Sequence, residues 1–291
     1  MKILICTDGS EQADRAVGVG AAIAPGCKAE VTVLGIVESP RESEKVTDSL
    51  NRALAILQDQ NVKTELITRT GKAIEEIVRR TKEVNYDLVV IGALRKQRQG
   101  AFSMSAKAYK VIKEVAPPVM IVTGNVTSLK RILICSGGKP YIENAIQLTG
   151  EIARGLGAEA SILHVLPEPP AIYSHLPRIH EDAESLLQSH SELGENLRHA
   201  RELLQQMNVP AKVQVRFGSV IEQILAEVRE QHYELVVTGS ALHPTLSTYV
   251  LGDITREIVN HANCAVLVVR SNTRLRRSHF SLRSLLGRTR P

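Results

Sequence analysis

Lys2-Ile-Leu-Ile-Cys6 returns as Arg131-Ile-Leu-Ile-Cys135, 129 residues further on. Two more stretches repeat at an offset of 147: Asp87-Leu-Val-Val-Ile-Gly92 with Glu234-Leu-Val-Val-Thr-Gly239, and Pro118-Val-Met-Ile-Val122 with Ala265-Val-Leu-Val-Val269. Long-period self-similarity of this kind marks a duplicated folding unit. The two offsets differ by 18 residues, which places an insertion in the second copy between its second and third strands. The copies join over Thr123 to Lys130, a linker short enough to force the halves into contact. The reading is therefore a first domain over 1–124, a second over 130–270 with an insertion at about 168–188, and a tail over 271–291.

In each copy short β-branched runs alternate with helical stretches. Ile3–Cys6, Val31–Val37, Val62–Thr68, Leu88–Gly92 and Val119–Val122 read as strands, nearly continuous in apolar residues as buried parallel strands are. Between them Leu50, Leu54 and Leu57 recur at helical spacing, as do Ile74, Ile77, Val78 and Thr81. Five strands with alternating helices make a doubly wound, parallel α/β domain. Ligands in such sheets sit beyond the carboxyl ends of the strands, where strand order reverses. The candidate site thus lies just after Cys6 and after Ile91, with its counterpart in the second copy.

Composition narrows the function classes. The 291 residues are 43% hydrophobic and 23% charged, which suits a globular chain and excludes a disordered one. The net charge of +5 is uneven: seven arginines and no acid lie within 270–291, leaving 29 Lys+Arg against 31 Asp+Glu, a net −2 for the body. A body without a positive excess, with 3% aromatics and no Trp, does not suit nucleic acid. Cys6, Cys27, Cys135 and Cys264 show no C-x-x-C pairing, which points to reduced thiols and a cytoplasmic setting. The opening apolar run is too short for a signal peptide, and no stretch reaches the ~18 apolar residues of a membrane span.

Ile3-Leu-Ile-Cys-Thr-Asp8-Gly9-Ser10, the Gly loop after the fourth strand and the Val-Leu-Val-Val ending together resemble the universal stress protein superfamily, in its tandem two-domain type. The resemblance covers both copies. It implies two adenine nucleotide alpha hydrolase-like sheets of order 3-2-1-4-5, joined through the last strand of each domain as an intramolecular pseudo-dimer. It also implies self-association, with a homodimer of tandem chains. Nucleotide-binding members carry Gly-x-x-Gly, nine residues, then Gly-Ser/Thr, so that main-chain amides and a helix N-terminus meet phosphate. ATP or another adenine nucleotide is the implied ligand. The matching positions are Thr7, Asp8, Ile36 and Gly92 in copy one, and Gly137, Val165, Gly239, Gly252 and Asp253 in copy two.

Both copies depart from that pattern. Copy one keeps Gly92, but Arg95 replaces the second glycine and Ser105-Ala106 replaces Gly-Ser. Copy two has Gly239, then Leu242, and Gly252 followed by Asp253, a carboxylate where phosphate would sit. Its equivalent of Asp8 is Gly137. Copy one keeps the nucleoside end and copy two part of the phosphate end.

Each residue has a second reading. Asp8 suits a ribose hydroxyl or the cap of the helix beginning near Ser10. Gly92 and Gly239 suit close approach to phosphate, or turns at positive φ. Asp253 reads as a helix cap or first-turn acid rather than a metal ligand. Arg95-Lys-Gln-Arg98 reads as a solvated loop, or as an anion site built from side-chain charge. Ser136-Gly-Gly-Lys139 resembles the loop of ATP pyrophosphatases, but Pro140-Tyr141 stand in the Asp-Ser positions. The nine histidines lack the spacing of a helical metal pair, and no catalytic triad or dyad presents itself; His164 and His261 read as partners of polar backbone.

The insertion, with Pro169, Pro170 and Pro177, reads as a surface excursion placed to cover the copy-two cleft. In the tail Leu275, His279, Leu282 and Leu286 fall at helical spacing among arginines, which suits an anionic membrane surface or an acidic protein partner. Three functions compete: a non-enzymatic regulatory stress protein with degenerate pockets, an ATP-binding sensor using copy two, and an ATP-pyrophosphatase-type enzyme. The missing glycines weigh against the second and the absent Asp-Ser against the third, so the first is expected.

Overall fold

The structure is a computed structural model, and it describes residues 1–93, 95–98, 101–104, 106–124, 126, 128–138, 143–168, 183–240 and 253–270. The first copy runs β1 (Lys2–Thr7), α1 (Glu11–Gly26), β2 (Glu30–Val37), α2 (Ser43–Asp59), β3 (Thr64–Thr70), α3 (Ala73–Glu83) and β4 (Leu88–Gly92). It continues with β5 (Arg95–Arg98), β6 (Ala101–Met104), α4 (Ala106–Glu114) and β7 (Val119–Val122). The second runs β8 (Arg131–Ser136), α5 (Glu143–Leu156), β9 (Glu159–Leu166), α6 (Ala183–Gln188), α7 (Glu192–Gln206) and β10 (Ala211–Phe217). It closes with α8 (Val220–Glu230), β11 (Leu235–Ser240), α9 (Asp253–His261) and β12 (Ala265–Arg270).

Ten strands form one sheet of order β10-β9-β8-β11-β12-β7-β4-β1-β2-β3. Each half is a parallel sheet of order 3-2-1-4-5, and the two are sewn together by β12 and β7, the last strand of each, running antiparallel. The pairing is Val266 with Ile121, Leu267 with Met120 and Val268 with Val119. The last-strand association expected between units is therefore made inside one chain. Burial follows from this position: all four residues of β7 and all six of β12 are buried, on both faces of the sheet.

Helices cover both faces. On one, α1, α2, α5 and α7 press Val17, Ile23, Leu57, Ile146, Ile152 and Leu204 onto the sheet. On the other, α3, α4, α8 and α9 supply Ile77, Val111, Ile112, Ile224, Val228 and Ile258. In α2 the buried stripe is Val46, Leu50, Ala53 and Leu57, so Ala53 takes the place expected for Leu54. α2 stops where Asn61 turns to φ 54° and the Val62 N–H returns to the Leu57 carbonyl; Asn208 at φ 58° and the Val209 N–H to Leu204 repeat the device after α7. Val62 thus belongs to the helix stop, and β3 begins at Thr64.

Cross-links fasten the seam. The Thr123 hydroxyl donates to the Cys264 carbonyl at 2.8 Å, Arg15 Nη1 to the Gly124 carbonyl at 2.9 Å, and buried Arg270 to the Ile112 carbonyl. The linker is pinned by the Glu234 carboxylate, which accepts from the Ser128 hydroxyl and from the Lys130 and Arg131 main-chain N–H groups.

Two expectations are corrected. Arg95–Arg98 is not a loop: β5 pairs antiparallel with β6, Arg95 opposite Met104 and Arg98 opposite Ala101. The end of the insertion is not a surface excursion, because α6 buries Leu186 and Leu187 in the core. Residues 169–182, Gly252 and the 271–291 tail lie outside the described residues. Among the described residues no helix is long and apolar enough to cross a membrane.

Candidate functional site

The carboxyl ends of β1 and β8 make the same turn. In copy one the Gly9 N–H donates to the Thr7 hydroxyl at 3.1 Å, and in copy two the Gly138 N–H donates to the Ser136 hydroxyl, also at 3.1 Å. Both glycines sit in the left-handed region, at φ 75° and 72°, which L side chains rarely adopt. The turn aims the main chain at the next helix, and Ser10 caps it by accepting from the Ala13 N–H. Asp8 is therefore not the cap. It is exposed, and its Oδ1 accepts from the Ser10 N–H at 3.0 Å, bracing the turn.

A polar relay closes copy one behind this turn. The Thr7 hydroxyl lies 2.7 Å from that of Ser49, Ser49 donates to Asp14 Oδ1 at 2.5 Å, and Arg52 Nη2 reaches Asp14 Oδ2 at 2.6 Å. Thr7 and Ser49 are buried, so the relay fixes α2 across the mouth of β1. The first turn of α2 rests on Gly9, whose added Cβ would stand 2.7 Å from the Lys45 carbonyl carbon. Ile36 does not follow β2 but lies within it, opposite Arg69, and at 2% exposed it packs in the core. β2 extends to Val37, and all its residues from Val31 onward are buried because helices cover both faces of the sheet.

The end of β4 gives a third reason for a glycine. Gly92 is not among the positive-φ residues; instead the backbone of the first turn of α1 leans on it, and an added Cβ would stand 2.7 Å from the Ala13 nitrogen and nearer still to the Gln12 carbonyl. The following Ala93 N–H is spent on the Val122 carbonyl. Beyond it the segment aligned with the phosphate loop is the β5–β6 hairpin, in which the two strands pair with each other. The amides that face across this two-stranded ladder are bonded to the opposite strand and do not converge on an anion.

Copy two closes differently. His164 stands where copy one has Gly35: β1 pairs Thr7 with Gly35, and β8 pairs Ser136 with His164. The His164 Nδ1 donates to the Ser136 carbonyl at 2.8 Å, since a carbonyl can only accept. Gly138 is flanked by the His164 ring and by Leu193, and its carbonyl accepts from Asn196 Nδ2 at 3.1 Å. Leu193 and Asn196 come from α7, whose start Ser191 caps through the Gly194 N–H. Val165 is half-buried beside them.

Two glycines of copy two lie at the carboxyl ends of β8 and β11. Gly137 and Gly239 are both exposed; among the described residues an added Cβ meets nothing within 4 Å at Gly137 and only the Val269 carbonyl, at 4.0 Å, at Gly239. Asp253 is the first residue of α9, a first-turn acid. One further correction concerns a histidine. His261 pairs with the Glu257 carboxylate at 3.1 Å rather than with backbone. Burial raises the Cys6 thiol far above its ordinary range, pushes Cys135 to about 12, and, with Glu151 beside it, pushes Cys27 to about 11.

A doubly wound α/β unit, duplicated in tandem and joined to its twin through the last strand of each, defines the class of protein. The chain belongs to the Universal stress protein family, whose model matches residues 1–123 and 128–270. It is 35% identical over 117 residues to Universal stress protein G of Shigella flexneri and of Escherichia coli O157:H7, covering 38% of this chain and 75% of those proteins. Its fold is that of a universal stress protein from Archaeoglobus fulgidus DSM 4304, at TM-score 0.70 and 18% identity over 93% of this chain and 98% of that one. A functionally unknown protein of Pseudomonas aeruginosa PAO1 superposes at TM-score 0.68 with 14% identity, covering 92% of each chain.

Proposed function

We propose that this chain is a non-catalytic regulatory member of its family, whose two nucleotide clefts are degenerate and which acts through its surfaces. The observation that carries the reading is the β5–β6 hairpin: the stretch of copy one aligned with a phosphate loop pairs with itself. His164, Leu193 and Asn196 crowding the turn after β8 support it from the other copy. Cys6, Cys27 and Cys135, whose thiols burial holds protonated, offer no poised nucleophile. A second copy of the chain, expected from the family resemblance, would meet it on a surface other than β7 and β12, which are spent on each other.

Titration calorimetry of the full chain with ATP and with AMP tests this reading. The expected result is no stoichiometric binding at micromolar concentrations. Saturable micromolar binding of two equivalents per chain would overturn it. One equivalent would favour the other reading, a sensor using copy two, which keeps Gly239 and Gly252 of the family's glycine pattern.

A further inference from the structure

The sheet ends in β3 on one side and in β10 on the other. The Val31 N–H donates to the Lys63 carbonyl and the Gly71 N–H to the Val37 carbonyl, so the odd-numbered residues of this stretch turn their main chain to β2. Thr64, Leu66, Thr68 and Thr70 therefore turn theirs outward. β3 contains neither Pro nor Gly, and its Leu66 is exposed. Such an edge is a template for another strand.

The two edges differ in what they would accept. Antiparallel pairing of β3 with a second copy of itself about Ile67 sets Glu65 of each chain opposite Arg69 of the other, and Leu66 opposite Thr68. The same pairing of β10 about Gln214 would set Lys212 opposite Arg216, two like charges. α6 also packs beside β10, and it belongs to the insertion that the first copy lacks.

We propose that two copies of the chain associate through β3, antiparallel about a two-fold axis at Ile67, and so join their sheets into one. Odd-numbered residues then form the non-hydrogen-bonded pairs, in which side chains lie closest, and the Glu65–Arg69 contacts fall there. Glu65 already accepts from Thr32 and Arg80, and Arg69 already holds Glu83, so the charges across the axis extend a network present in each copy. Sliding the strands by two residues sets Arg69 against Lys63, or Glu65 against Gly71, and the match is lost. This inference names the surface for the second copy expected above, and it does not depend on whether the clefts hold nucleotide.

Sedimentation equilibrium of the full chain, from micromolar to near-millimolar concentration, tests this, and oxidative cross-linking fixes the register. A dimer that dissociates on dilution is expected. Opposed residues of a non-hydrogen-bonded pair have Cα atoms about 4.5 Å apart, within disulfide reach, so Ile67→Cys should give a disulfide-linked dimer under oxidised glutathione. Thr64→Cys, which faces Thr70 of the second copy, and Gln214→Cys, the equivalent position in β10, should stay uncrosslinked like the parent chain. Thr68→Pro removes an outward N–H that β2 does not use and should weaken association by more than ~10-fold. Glu65→Arg turns both charge pairs repulsive and should weaken it about tenfold. The urea midpoint shows that each variant is folded. The proposal is overturned by a monomer at every concentration, by a dimer that Thr68→Pro or Glu65→Arg leaves intact, or by cross-linking through Thr64→Cys or Gln214→Cys in place of Ile67→Cys.

Discussion

Gly26 and Gly155 occupy equivalent places in the two copies, and they meet each other where α1 crosses α5. A Cβ on Gly26 would stand 2.5 Å from the Gly155 Cα, and one on Gly155 would stand 2.8 Å from the Gly26 carbonyl carbon. The pseudo-two-fold axis of the molecule thus passes between two backbones with no side chain to separate them.

Gly26→Val or Gly155→Val should accordingly destabilise the chain by about 1–3 kcal/mol, the range for overpacking, because backbone has no rotamer to give way. Gly18 of the same helix supplies the control. It is exposed, with nothing within 4 Å of an added Cβ, so Gly18→Ala should stabilise by ~1 kcal/mol through helix propensity. Urea unfolding of the three variants reads both signs.

The glycines after the fourth strand of each copy should also part company. Gly92→Ala drives a methyl into the first turn of α1 and should cost about 1–3 kcal/mol. Gly239→Ala should change stability by less than ~0.5 kcal/mol. A thermal shift of equal size in both variants would show that the two positions do the same work.

Thr7→Val keeps the shape of the side chain and removes its hydroxyl. The Gly9 N–H then loses its acceptor and Ser49 one of its two partners, for a loss of about 1–2 kcal/mol. An unchanged urea midpoint would count against the relay.

Alkali should weaken the fold partly through Cys27. Its thiol has an ordinary pKa of 9.0 and stands at about 11 in the folded chain, so between those values the unfolded state has lost a proton that the folded state keeps. Stability from this group is complete below pH 9 and declines as pH rises toward about 11. Cys27→Ala should flatten the pH dependence of the urea midpoint over that window, and an unaltered slope would discount the thiol.

Should copy two hold ATP, Asp253→Ser should tighten it, because a carboxylate at the start of α9 repels phosphate. Calorimetry that shows no gain would place the phosphates elsewhere.

The repeat of Ile-Leu-Ile-Cys made the duplication and its strands legible, since buried parallel strands write themselves as apolar runs, whereas the strand order and the seam were implied by the family resemblance. The hairpin was hidden because Arg95-Lys-Gln-Arg98 alternates nothing apolar, although Gln99-Gly100 leaves room for a tight turn. Gly92 was misread for another reason: a glycine demanded by a neighbouring helix looks in sequence like one demanded by a turn. Ile36 lies in the core because the strand read over Val31–Val37 already contains it; its place at the site was implied by the family resemblance alone. His164 was seen as a backbone partner, but its place opposite Ser136 depends on register, which the residues alone do not print.

Sewing β7 to β12 within one polypeptide has a consequence for assembly. Residues 123–130 hold the mating edges at an effective concentration that dilution cannot lower. The two halves of such a molecule are always present one to one, so its internal stoichiometry is settled when the ribosome finishes the chain.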